Sequence, residues 1–289
     1  MRKKHSDMKT KIGSKYLGGK TVFTSVRYVI RENTQNMYRI FSIAKYELLA
    51  DMRDSKLGWF WNFANPAIQV MTYWFVFGYV FNRKSVGHIP YLVWMLGGMV
   101  VWFFISPCIT DGCNAVFKKI DVITKMKFPV SVLPMTVVLQ KLFDHFCLMI
   151  ILIVVFVLYG YYPTWHWIGL IYYLLCAIIF AVSLSLTTSV LNMLARDTRK
   201  LILACMRLLL YLTPILWDID KLGHGRLMKL MTCNPIYYVV QGFRDCFFYH
   251  KGIMAYSWSM GWFWGITLVL FFFGSYMMYK FKHKFIDLI

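Results

Sequence analysis

The chain has 289 residues, of which 59% are apolar or aromatic and only 16% are charged, with a mean hydropathy of +0.53. Soluble domains carry about 45–50% apolar and about 25% charged residues, so the composition argues against a water-soluble single-domain enzyme and excludes a disordered chain. The 32 Lys and Arg against 13 Asp and Glu give a net charge of +19; in so apolar a chain this points to cationic loops beside an anionic membrane leaflet rather than to nucleic acid.

Residues 1–35 are polar and basic, with Arg2, Lys3, Lys4, Lys9, Lys11, Lys15 and Lys20, and read as a partly disordered cytoplasmic tail. Within them, residues 14–21 (SKYLGGKT) miss the phosphate-binding loop pattern by one glycine, and no apolar strand precedes them. A nucleotide site needs strand, loop and helix together, so the chain is expected to lack ATPase machinery of its own. Residues 36–56 are the next unit. Met37, Ile40, Phe41, Ala44, Leu48 and Met52 recur at three- and four-residue spacing, with Arg39, Lys45, Asp51 and Asp54 on the rest of the wheel. That is an amphipathic helix too charged to span a bilayer, and it is expected to lie in the interface. The first long apolar run starts near Trp59, too deep for a cleavable signal peptide.

Residues 57–289 read as an all-α polytopic membrane domain. At about 20 apolar residues per crossing, six spans are expected: 61–81, 91–110, 133–159, 167–191, 201–217 and 258–279. With the N-terminus inside, the inner segments hold 23 Lys and Arg and the outer ones 7, while Lys141 and Arg207 fall within spans. The positive-inside rule therefore places both termini in the cytoplasm.

Between the second and third spans, residues 114–125 (NAVFKKIDVITK) put Val116, Phe117, Ile120 and Ile123 on one helical face and Lys118, Lys119, Asp121 and Lys125 on the others. Phe128-Pro129 ends the segment, because proline disfavours helix at the residue before it. It reads either as a solvated loop helix or as a docking helix that offers an apolar ridge to a cytoplasmic partner. In the outer stretch 218–257, residues 236–248 form a short apolar run after Asn234-Pro235, of a length that suits a re-entrant helix pair or a surface amphipathic loop. Asp218, Asp220 and His224 are loosely metal-like, but turn chemistry explains them more simply, and no metal site is expected.

Lys141 and Asp144 lie three apart on the third span and can neutralise each other, with His145 adjoining. Arg207 lies about 10 Å into the fifth span. Intramembrane charges are costly and face the interior or a cavity, so Arg207 pairs with Asp144 or a carbonyl, or meets a ligand. No nucleophile–base–carboxylate grouping can be assembled from the spacing. Cys108, Cys147, Cys176 and Cys205 lie in apolar runs as small hydrophobes. Cys233 and Cys246 share one outer stretch and could bridge, although spacing alone does not set connectivity.

Taken in order, DSKLGWFWNFANPAIQVMTYWFVFGYVF (54–81), YLVWMLGGMVVWFFISPCITDGCNAVFKKIDVITKMKFPVSVLP (91–134), ARDTRK (195–200), YLTPILW (211–217) and NPIYYVVQGFRD (234–245) resemble the permease subunit of type-2 ABC exporters for polyprenyl-linked glycopolymers. Within that family the likeness is greatest to the wall teichoic acid exporter permeases; O-antigen and capsule exporter permeases share the plan. The resemblance covers residues 36–289. It implies a homodimeric permease enclosing a tunnel, with two separate ATPase subunits below that carry ATP and Mg. It implies ATPase coupling through Asn114, Phe117, Lys118, Lys119, Ile120 and Asp121, together with Arg196 and Asp197. It implies a lateral lipid gate at the first and fifth spans, entry of a polyprenyl diphosphate near the inner leaflet, and an aromatic tunnel. Trp59, Trp61, Tyr73, Trp74 and Tyr211, with Arg207, are the candidates for that path; lipid-facing anchors are the other reading of the aromatics. The expected setting is a bacterial plasma membrane. A membrane-embedded transferase and a channel or scaffold are the competing classes, and co-purification of a Walker-motif ATPase separates them from an exporter.

Overall fold

The computed structural model describes residues 19–53, 57–125, 128–223 and 225–282. The expectations placed on residues 1–18, 54–56, Lys127, His224 and 283–289 lie outside the described residues, as do the side chains of Lys20, Asp51, Met52, Trp59 and Lys125. The described chain is almost entirely helical. Its helices are α1 (Gly19–Gln35), α2 (Met37–Arg53), α3 (Gly58–Tyr73), α4 (Tyr91–Lys118) and α5 (Ile120–Lys125), then α6 (Val132–Leu158), α7 (Gly169–Leu194), α8 (Asp197–Leu212), α9 (Arg226–Thr232), α10 (Pro235–Arg244) and α11 (Ser257–Phe281). A π-helical segment, Trp74–Val80, extends α3, and a two-residue hairpin, β1 (Ser85–Val86) with β2 (Ile89–Pro90), leads into α4.

Among the described residues, four helices are long and apolar enough to cross a membrane: α4, α6, α11, and α7 with the 3-10 turn before it. This is the multi-pass core that composition demanded. The other two expected spans rest on shorter helices. α8 has 16 residues, about 24 Å of rise, because its first turn is charged (Asp197, Arg199, Lys200) and Thr213-Pro214 ends it. α3 also has 16 residues, holds Pro66, and gains length only through the seven-residue π segment.

α4 is the central post, packed between α6 and α7, with α11 on the far side of α7. Small residues set these distances, as they do where lipid removes the hydrophobic drive between helices. Gly112 of α4 lets Ser185 of α7 approach until its hydroxyl donates to the Cys108 carbonyl at 2.8 Å. On α11, Gly274 does the same for Thr187, whose hydroxyl reaches the Leu270 carbonyl at 3.0 Å.

Two parts of the chain are more integrated than their sequence suggested. Residues 19–35, read as part of a tail, form α1, which packs on the end of α11 through Tyr28 on Tyr279 and Phe23 on Phe272. The run 236–248 is no surface loop. Asn234 caps α10 by accepting the Ile236 N–H at 3.0 Å, and Tyr238, Val239, Val240, Phe243 and Phe247 are buried against α4, α7 and α11.

Candidate coupling end and candidate passage wall

The segment 114–125 is not one helix. Asn114–Lys118 is the last turn of α4; Lys119 leaves the helical region, and α5 begins at Ile120. The expected apolar ridge is therefore divided. Val116 and Ile123 are buried in a cluster with Val29, Leu133, Leu186 and Met278, so they hold the chain together rather than face a partner. Phe117 stays 37% exposed, and the Arg196 guanidinium lies 5.2 Å from its ring centroid. Two expected coupling segments distant in sequence are thus adjacent in space. Asn114 accepts from Asn192 at 3.4 Å, Lys118 and Asp121 are exposed, and Asp197 pairs with Lys200 at 3.1 Å within its own exposed turn.

Acidic residues that the sequence did not single out anchor this segment and the chain that enters α6. Glu47 of α2 pairs with Lys119 at 2.7 Å. Glu32 of α1 accepts the Ser131 N–H at 3.3 Å and the Ser131 hydroxyl, while the Asn33 amide donates to Ser131 Oγ at 3.3 Å. Glu32 is signalled in the sequence only as a carboxylate between Arg27, Arg31 and Arg39, and Glu47 stands in a stretch of balanced charge.

The helices of the expected gate, α3 and α8, are sparsely covered. The π extension of α3 has no buried residue, and α8 buries only Met206 and Leu210. Tyr73 and Tyr211 join the two helices, ring centroids 6.4 Å apart and nearly perpendicular. Trp61, Trp74 and Tyr211 are exposed on the single chain. Beside them runs a feature missed in the sequence: Asn62, Asn65, Gln69 and Thr72, all exposed, fall on one stripe of α3. Asn62 reaches Asp144 of α6, while Asn65, Gln69 and Thr72 lie to one side of Phe63, Pro66 and Val70, which face α4 and α6. On α8, Lys200, Arg207 and Tyr211 share a stripe at i, i+7 and i+11.

The charges within the expected spans pair differently from what their spacing suggests. Lys141 forms its ion pair with Asp111 of α4 at 3.0 Å rather than with Asp144, because Asp111 faces it across the α4–α6 contact. Asp144 accepts from the Asn62 amide at 3.1 Å. Arg207 is exposed and, among the described residues, donates only to the Leu203 carbonyl, one turn back on its own helix, at 3.3 Å. The Arg207–Asp144 pairing is thereby overturned.

At the opposite end, Arg244 is 1% exposed and fixes the break after α8. It donates to the carbonyls of Pro214 and Ile215 at 2.7 and 2.6 Å and stacks 3.5 Å from the Trp94 ring centroid. Tyr91 and Asn234 add bonds of 2.8 Å to Leu216 O and Thr213 Oγ1. Burial lowers the Arg244 pKa to about 10, which leaves it cationic at neutral pH. Asp218 accepts the Asp220 N–H, a turn contact. All seven cysteines are free thiols, so Cys233 and Cys246 do not bridge.

A family model described as ABC-2 type transporter matches residues 38–248. An O-antigen export system permease protein, RfbA, of Myxococcus xanthus is 26% identical over 224 residues, 77% of this chain and 85% of its own length. Its namesake in Klebsiella pneumoniae is 27% identical over 250 residues, 86% and 93% of the two chains.

Proposed function

Because this chain belongs to the ABC-2 type transporter family, we propose that it is the transmembrane subunit of an ATP-driven exporter that moves a lipid-linked polysaccharide of the O-antigen kind across the plasma membrane. Curated relatives named for O-antigen export, matched over most of both chains, support this polymer class ahead of teichoic acid. ATP and Mg belong to a separate ATPase subunit, which docks on Phe117 and Asp121. The chain is a transport subunit and not itself the enzyme.

The observation that carries the reading is the polar stripe of α3. Amide side chains turned toward hydrocarbon are expensive, so such residues face protein or water. Asn65 and Gln69 on an otherwise apolar, uncovered helix mark a wall that a second copy completes. Between two such walls, amides and hydroxyls bond to sugar hydroxyls while Trp61, Trp74, Tyr73 and Tyr211 supply faces for the rings. Arg207 stands on the α8 side of the same passage.

The test places cysteine at Asn65 or Gln69 in a cysteine-free background of the ATPase-bound complex. A membrane-impermeant thiol reagent is expected to label both positions and block export of lipid-linked polysaccharide. Cysteine at Ile150, exposed on the outer face of α6, is expected to stay unlabelled. Reactivity at positions 65 and 69 as low as at position 150 would sink the proposal.

A further inference from the structure

A polar cavity of about 300 Å3 lies between α2, α4, α6 and α8, at the end of the bundle that carries α5. Its charged lining is four cations, Lys118, Lys119, Lys141 and Arg199, and two acids, Glu47 and Asp111. Lys119 and Lys141 are neutralised by Glu47 and Asp111. Lys118 and Arg199 have no ion pair among the described residues, which leaves a surplus of two positive charges on one small cavity. Asn114 adds donors there, since its carbonyl oxygen already accepts from Asn192 and its NH2 group remains.

A surplus of cations with amide and guanidinium donors repels a metal ion and selects a multiply charged oxyanion. A carboxylate offers one charge. A phosphate or diphosphate offers two or more, with enough oxygens for the guanidinium fork, the ammonium and the amide together. A volume near 300 Å3 is at the lower end for ligand sites and suits a headgroup rather than a whole lipid. Next to it, along the same two helices α2 and α6, runs an almost wholly apolar groove of about 530 Å3, lined by Phe41, Ala44, Leu48, Leu142, Phe143 and Phe146. Glu47 lines the cavity while Ala44 and Leu48, its neighbours on α2, line the groove. A polar chamber beside an apolar channel is the arrangement an amphiphile needs.

The geometry points to a binding site for a phosphate-bearing headgroup in this cavity, held by Lys118, Arg199 and Asn114, with the groove between α2 and α6 taking the apolar chain when the phosphate is lipid-borne. The site deepens the export reading and rests on it only for the identity of the natural ligand. It also puts that ligand beside Lys119 and the start of α5, where its arrival is felt at the coupling segment.

The test uses the full chain with its ATPase subunits in lipid nanodiscs. The probes are a radiolabelled long-chain prenyl diphosphate, the corresponding prenyl alcohol and inorganic diphosphate. The wild type is expected to retain the prenyl diphosphate and not the alcohol. The pair Lys118→Gln with Arg199→Gln is expected to retain it about tenfold less or worse, as lost charge-assisted bonds require. Lys229→Gln, an exposed cation at the other end, is expected to bind normally. Competition by inorganic diphosphate assigns recognition to the headgroup alone; failure to compete assigns it to headgroup and chain together, and both agree with the site. Equal retention by the double variant, or equal retention of the alcohol, overturns it. If the double variant is poorly folded, Arg199→Gln alone, at an exposed position, tests the same contact through a smaller loss of binding. Normal diphosphate binding in a complex that exports no polysaccharide would keep the site and refute the export reading.

Discussion

Arg244→Leu removes the cation that closes the break after α8. The change strips two buried carbonyls, Pro214 O and Ile215 O, of the guanidinium that donates to both and ends the stacking on Trp94. An unsatisfied buried carbonyl costs about 1–3 kcal/mol, and a desolvated cation–π contact contributes about 2 kcal/mol. Against these stands the relief of no longer burying a charge, so the net loss is about 3–5 kcal/mol, below the sum of two unsatisfied carbonyls and the lost ring contact. In a chain of this size that corresponds to a melting point lower by about 10 °C, read by thermal shift of the detergent-solubilised protein with size-exclusion detection. Arg244→Lys, which keeps the charge but not the fork, is expected to recover less than half of the loss. Gly98→Ala supplies an independent route to the same contact, because a Cβ there would lie 2.6 Å from one guanidinium nitrogen. Its effect is expected to be much smaller once Arg244 is Leu, since neighbours sharing a contact are not additive. A melting point for Arg244→Leu within about 2 °C of wild type would refute the clamp.

Phe117→Asp is expected to leave folding intact and weaken co-purification of the ATPase subunit, whereas Val116→Asp or Ile123→Asp, each placing a charge in the inner cluster, should cost several kcal/mol and abolish folded yield. The combination Arg207→Ala with Asp144→Ala is expected to show simple additivity in melting point, since the two side chains do not meet; rescue of one by the other would reinstate their pairing. Asp245 has its carboxyl pKa raised to about 6, chiefly by burial and despite Lys251 and Gln241. The folded state then holds the extra proton between about pH 4 and 6, so stability is highest below that window and falls as pH rises through it, by on the order of 2 kcal/mol. Melting scans of Asp245→Asn should be flatter across that window, and a scan as steep as wild type would rule the assignment out.

Much of the architecture was legible because the bilayer imposes lengths. The long runs around 91–118, 132–158 and 169–194 have no competing solution, and the amphipathic wheel of 37–53 and the Asn-Pro start of α10 are local signals that tertiary contacts did not need to create. What the sequence could not carry was direction around each helix. Lys141 has Asp144 three residues away, yet its partner is Asp111, because two carboxylates compete and only the rotation of α6 against α4 decides between them. Residues 114–125 share one helical face by their periodicity, but the break at Lys119 turns half of that face into core and leaves Phe117 outside. The stripe of Asn62, Asn65, Gln69 and Thr72 was present in the spacing, but its meaning depends on which side of α3 the rest of the chain covers. Glu32, Glu47, Lys118 and Arg199 lie on four different helices, and nothing in their order along the chain says that two of them hold the coupling segment or that the other two stand without ionic partners on one cavity. Helix type follows from composition and period, which are local; partner choice follows from the packing of surfaces far apart in sequence, and only the folded chain specifies it.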